Sequence, residues 1–181
     1  MKKKDKGSVQ TVLVLILLTW LVWGFCILMT LMKAGYVNRY IEDCLMQANL
    51  AAILIDPYHY GSTGELVFEN TQTVRNIFNE VLSESLGDAQ NREKLGIGEE
   101  ILVSEFRIYE VTTAGTTEFI YDSQGILQTK RYDSVTVLEA PDGTVIQNSS
   151  LYARIEVPIK FMLGIEVRAI KEHCVDIKSE G

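Results

Sequence analysis

From Val9 to Met32 the chain carries no charged residue, and its only polar side chains there are Gln10, Thr11, Thr19 and Thr30. A helix rises about 1.5 Å per residue and needs roughly 20 apolar residues to cross the hydrocarbon core of a bilayer. The run therefore predicts a membrane helix over residues 8–32. After Lys33 the pattern becomes amphipathic. Val37, Ile41, Cys44, Leu45, Ala48, Ala52 and Ile55 recur at spacings of three and four, which stacks them on one helical face. Asn38, Arg39, Glu42, Asp43 and Gln47 fall mainly on the other. Nothing interrupts this period before Asp56-Pro57, where the residue ahead of proline avoids the α region. One continuous helix is expected, apolar all round over 8–32 and amphipathic over 33–56. The stripe on its second half needs a surface to cover it.

A second helix is predicted over about 70–86. Val74, Ile77, Phe78, Val81 and Leu82 keep the helical period, Asn70 or Thr71 supplies an N-cap, and Gly87 a stop. The segments "DPYHYGSTGELVFEN" before it and "GDAQNREKLGIGEE" after it read as loops. From Ile101 the period changes to two, and a sheet is predicted over about 101–178. "TTAGTT" and "PDG" are its turns; in the second, proline presets φ and glycine takes a positive one. In "LYARIEVPIK", Leu151, Ala153, Ile155, Val157 and Ile159 share one face, and Pro158 places that strand at an edge or at its end. In the last strand Ile165, Val167, Ala169, Val175 and Ile177 share the apolar parity. The expected fold is α+β: a long N-terminal helix packed on a small antiparallel sheet, with residues 57–181 forming one domain.

Charge orients this arrangement. Residues 1–7 form a basic leader with four lysines, so the remainder of a chain of net charge −7 is strongly acidic. The positive-inside bias puts the N-terminus in the cytoplasm and the domain outside, a single-pass protein of the cell membrane with the lipid bilayer as a partner. An acidic body excludes nucleic acid by electrostatics. A cleaved secretory signal fits poorly. Signal cores run about 7–15 residues and end in small residues, whereas this run is longer and "KAGY" lies beyond Lys33.

Little in the sequence points to chemistry. His59 and His173 are the only histidines, and neither sits in a metal-binding spacing such as H-E-x-x-H. His59 reads as a loop histidine among tyrosines. No catalytic residue, metal ligand or cofactor site is assigned, and no enzyme activity is expected. Of the three cysteines, Cys26 lies in the membrane run as a small packing residue. Cys44 and Cys174 are a candidate disulfide, since both fall outside the membrane. Cys174, however, shares the parity of Glu166, Arg168, Glu172 and Asp176, so the bridge needs a strand bulge.

The layout resembles type IV pilin-like proteins, and most nearly the TadE-like minor pilins of tight-adherence (Flp-type) pilus systems. The stretches that carry the resemblance are "KGSVQTVLVLILL" and "YARIEVPIKFMLGIEVRAI". It implies a leader cut by a prepilin peptidase between Gly7 and Ser8. Partners would be other pilin-like subunits or pilus assembly platform proteins, met through a laterally packing helix. Val12, Gly24, Cys26 and Thr30 are the candidate packing residues, the last three small enough to allow close approach. The chain departs from the family at one place. Pilins of this class carry glutamate at the fifth residue after the cut, and counted from Ser8 that residue is Val12. Cleavage after Gly7 and an uncleaved anchor both remain open. So does the rival reading, an anchored extracellular binding or sensory module.

Overall fold

A computed structural model describes residues 6–134, 136–161 and 164–177. Leader residues 1–5, residue 135 in the stretch before "PDG", residues 162 and 163, and the last four residues lie outside these. The chain divides into two compact units, with the boundary between Val37 and Asn38.

The first unit consists of the apolar part of α1 (Lys6–Ala51), a helix of 46 residues. One helix over Val9–Ala51 is long and apolar enough to cross a membrane, and no side chain of its most apolar window is buried.

The second unit begins with the rest of α1. Ile41, Cys44, Leu45, Ala48 and Ala52, five of the seven residues of the predicted stripe, are buried there; Val37 is also buried, and Ile55 is half-buried. The five residues from Ile41 to Ala52 belong to an α+β domain whose main sheet has the order β3-β2-β1-β6-β7, all antiparallel. Its strands are β1 (Leu102–Thr112), β2 (Gly115–Asp122), β3 (Leu127–Tyr132), β6 (Ser150–Lys160) and β7 (Glu166–Asp176). A separate hairpin joins β4 (Leu138–Glu139) to β5 (Val145–Ile146) around Pro141-Asp142-Gly143, with Gly143 at φ 85°.

One sheet face carries Phe106, Ile108, Tyr121, Leu151, Ala153, Ile155 and Val157, all buried. Helix α3 (Thr71–Gly87) contributes Val74, Phe78, Leu82 and Leu86 to the core. Phe78 meets Phe106 at a ring-centroid distance of 4.8 Å. Asn70 caps α3 by accepting from the Gln72 and Thr73 N–H groups. Helix α1 is held by Tyr40 Oη donating to Ser85 O at 2.8 Å, and by buried Asn49 donating to His173 O at 3.1 Å. On the opposite sheet face the β4–β5 hairpin builds a smaller core of Tyr109, Ala140, Ile146 and Tyr152, with Cys174 packed against it.

The structure departs from the sequence-based expectations at several points. "DPYHYGST" is not a loop: it contains α2 (Pro57–Thr63), because Asp56 accepts from the Tyr58 and His59 N–H groups and Pro57 presets the first helical φ. Likewise "AQNREKL" is α4 (Ala89–Leu95), capped by Asp88 and ended by left-handed Gly96. Pro158 sits in β6, an interior strand. Its missing N–H faces the side where β1 has already ended, at Leu102↔Glu156, and where the Gly98 N–H donates to Pro158 O instead. The apolar parity of β7 is only partly covered. Helix α1 reaches this edge strand at Lys171, paired with Glu42, and at His173, while Ile165 and Val167 stay about half exposed. The candidate disulfide is not formed. The β6–β7 ladder runs without a bulge from Ser150↔Asp176 to Lys160↔Glu166, so Cys174 faces away from the side that buries Cys44, and both are free thiols.

Candidate functional site

The uncovered part of α1 is the feature that sets this chain apart from an ordinary small α+β domain. Gly7 and Ser8 lie in its first turns. Each residue of an α-helix turns about 100°, so Val12, Thr19, Trp23, Cys26 and Thr30 fall within about 60° of one another. Three of the four candidate packing residues, Val12, Cys26 and Thr30, are thus brought to one stripe. Gly24 lies about 120° from Thr30 and so belongs to another face. Nothing lies within 4 Å of where a Gly24 Cβ would stand. Thr19 and Trp23 were missed as stripe members, although their 4-3-4 spacing with Cys26 and Thr30 was there to be read.

The stripe is compatible with hydrocarbon. Thr19 Oγ1 donates to Leu15 O at 2.9 Å and Thr30 Oγ1 to Cys26 O at 2.8 Å. Both hydroxyls are satisfied inside the helix, as a medium without water requires.

The ionisable groups of the second unit form two clusters. In the first, Arg107 donates from Nε to Glu105 and from Nη1 to Glu118, each at 2.7 Å, while Tyr132 Oη donates to Glu118 at 2.9 Å. Burial works against the Arg107 charge, but the two carboxylates outweigh it and raise the guanidinium pKa further. The group ties β1, β2 and β3 together across the outer face. Next to it the buried Tyr109 hydroxyl meets no partner at hydrogen-bonding geometry among the described residues, and burial, then the Glu118 charge, raises its pKa. These residues were invisible in the sequence because only strand register brings them together.

In the second cluster Glu65 accepts from the Thr113 N–H and Oγ1, each at 2.8 Å, and stands 3.3 Å from His59 Nε2. The Thr113 bonds, then His59, hold the Glu65 carboxyl below its ordinary range. Glu110 accepts from the Phe68 N–H at 3.2 Å, yet burial pushes its pKa up. His59 is therefore a residue of α2 whose ring nitrogen lies within hydrogen-bonding distance of Glu65. Among the described residues no group of three His, Cys, Asp or Glu side chains is placed to hold a metal ion. Burial also lifts the Cys174 thiol to about 12 and raises that of Cys44, which leaves both unreactive at neutral pH.

The raised Glu110 pKa has a consequence for stability. A carboxyl with a folded-state pKa above its unfolded value favours the fold when protonated, so its ionisation opposes folding as pH rises through that range. Glu110→Gln keeps an acceptor for Phe68 and removes the charge. The expected outcome is a higher melting temperature at pH 7, with the gain shrinking to nothing near pH 4, as read by thermal melts across that range.

Compared with known proteins, the chain matches no family model, no curated protein and no solved structure.

Proposed function

We propose that this chain is a single-pass membrane protein acting as a pilin-like minor subunit or assembly factor of a tight-adherence-type pilus. In this reading the N-terminus is cytoplasmic and the acidic α+β domain lies outside. The observation that carries it is the division of labour along α1. The stripe from Ile41 onward is buried in the domain's own core, while no side chain in the most apolar window of the first half is buried among the described residues. The basic residues before Ser8 and the acidic domain support the orientation. The work is done without catalysis: the stripe through Val12, Cys26 and Thr30 packs on helices of partner subunits, and the domain supplies the specific contacts. An acidic domain gives nucleic acid no attraction.

Val12 favours a second reading. A cleaved chain would expose a Ser8 amine, and a buried amine needs a carboxylate that this position does not supply. An uncleaved, permanently anchored binding module has no such need.

Photo-crosslinking from position 12 or 26 in native membranes separates the two. The pilin-like reading expects partners that themselves carry an N-terminal apolar helix continuous with an amphipathic one. Crosslinks to lipid alone, or to proteins without that layout, would overturn it.

A further inference from the structure

Among the described residues no strand pairs with the outer side of either edge of the main sheet, and the two edges match. Every pairing in the sheet is antiparallel, so in a five-stranded sheet the two edge strands, β3 and β7, run in the same direction. We propose that copies of this chain associate side by side through their sheets, with β7 of one copy pairing in parallel with β3 of the next. The pilin-like reading is drawn on only in taking the copies to lie side by side in one membrane.

Backbone parity permits the pairing. The Ile177 N–H bonds to Ser149 O at 3.0 Å, so odd-numbered residues of β7 are tied to β6 and even-numbered ones turn their N–H and C=O outward. The Asp122 N–H bonds to Ile126 O at 3.3 Å, so in β3 it is Leu127, Thr129 and Arg131 whose backbone groups face outward. In both strands the odd-numbered side chains share the face that carries the main core. A parallel ladder sets each outward-facing residue opposite one that faces away, with both side chains on the same face. Odd residues of β3 opposite odd residues of β7 meet both conditions.

Charge then selects the register. β3 carries Lys130 and Arg131; β7 carries Glu166, Glu172 and Asp176 with Arg168 and Lys171. Lys130 opposite Glu172 also places Leu127 on Ala169 and Gln128 on Ile170. A shift of two residues one way sets Arg131 against Lys171, and two the other way leaves Lys130 without a carboxylate. Cross-strand pairs of opposite charge stabilise a sheet and like charges oppose it. Leu127 on β3 and Val167 and Ile170 on β7, each about half exposed in the single chain, lie along these edges. Repetition of such a head-to-tail contact gives a growing row rather than a closed dimer.

The test uses the full chain in membranes, with Cys26→Ala and Cys174→Ala removing competing thiols and with Lys130→Cys and Glu172→Cys added. Within one copy these positions are four strand spacings apart, about 19 Å, far beyond disulfide reach. Across the proposed contact they are neighbouring strand positions, about 4.8 Å apart. Oxidation with copper phenanthroline is expected to give a ladder of dimers, trimers and larger species, with neither single variant crosslinking to itself. Adding Ile170→Pro, whose lost N–H faces outward and spares the β6 ladder, is expected to reduce the ladder at least tenfold at an unchanged melting temperature. Monomer alone from folded protein, dimers from Glu172→Cys by itself, or indifference to Ile170→Pro would each overturn the contact. None of these outcomes bears on leader cleavage, so this contact and the pilin-like reading fail separately.

Discussion

Arginine at both Leu17 and Leu21 is expected to release the chain from the membrane. Between Val9 and Met32 there are fourteen Leu, Ile, Val and Phe residues. At about 0.3–0.6 kcal/mol each, they favour insertion by roughly 4–8 kcal/mol. Two arginines near the helix centre cost about 5–7 kcal/mol, enough to cancel that gain. Neither side chain can be sheltered within the first unit, since Leu17 is 68% and Leu21 69% exposed there. The readout is the fraction pelleting with membranes after alkaline carbonate extraction. Wild-type chain should pellet, the double arginine variant should appear in the supernatant or be degraded, and Leu17→Ile/Leu21→Ile should behave as wild type. A double arginine variant that still pellets would show that something other than this helix holds the chain.

The second large effect lies in the core of the domain. Phe78 is fully buried and stacks on Phe106, which in turn lies 6.2 Å from Tyr121. Phe78→Ala removes the ring that joins α3 to β1 and leaves a cavity that the flanking strands are too rigid to close. The expected cost is about 3–5 kcal/mol, a large part of the stability of a domain this size. Ile77→Ala, at the half-buried neighbouring position, should cost about 1 kcal/mol. Urea unfolding of the detergent-solubilised chain, followed by limited proteolysis, reads both. Equal midpoints for the two variants would mean that α3 does not pack as described.

These effects sit in elements of different legibility. Helix α1 could be read residue by residue: its apolar run and the stripe from Val37 to Ala52 are long, periodic and unbroken, so local sequence alone carries the signal. Helix α2 was hidden because Pro, Tyr, His and Gly suggest a loop, and only the Asp56 cap turns Pro57 into a helix start. Strand β3, "LQTKRY", has no apolar alternation. It is an exposed edge strand held by its ladder to β2, and nothing local announces it. By parity Tyr152 falls on the face of β6 opposite Leu151, Ala153 and Ile155, yet it is fully buried, because the β4–β5 hairpin folds over that face. Of the candidate stripe, the shared face of Val12, Cys26 and Thr30 follows from helical spacing, which is a property of the sequence. The Arg107–Glu118–Tyr132 group was not, because it exists only once three strands take their register.

The pilin-like reading turns on one bond, the peptide between Gly7 and Ser8. The direct measurement is the intact mass and N-terminal residue of the chain purified from its native membranes. A chain beginning at Ser8 is the expected result, and it would mean that a prepilin peptidase recognises the leader although Val12 replaces the family's glutamate. A chain beginning at Met1 or Lys2 would contradict a processed pilin-like subunit and leave the helix as a permanent anchor for an extracellular binding domain.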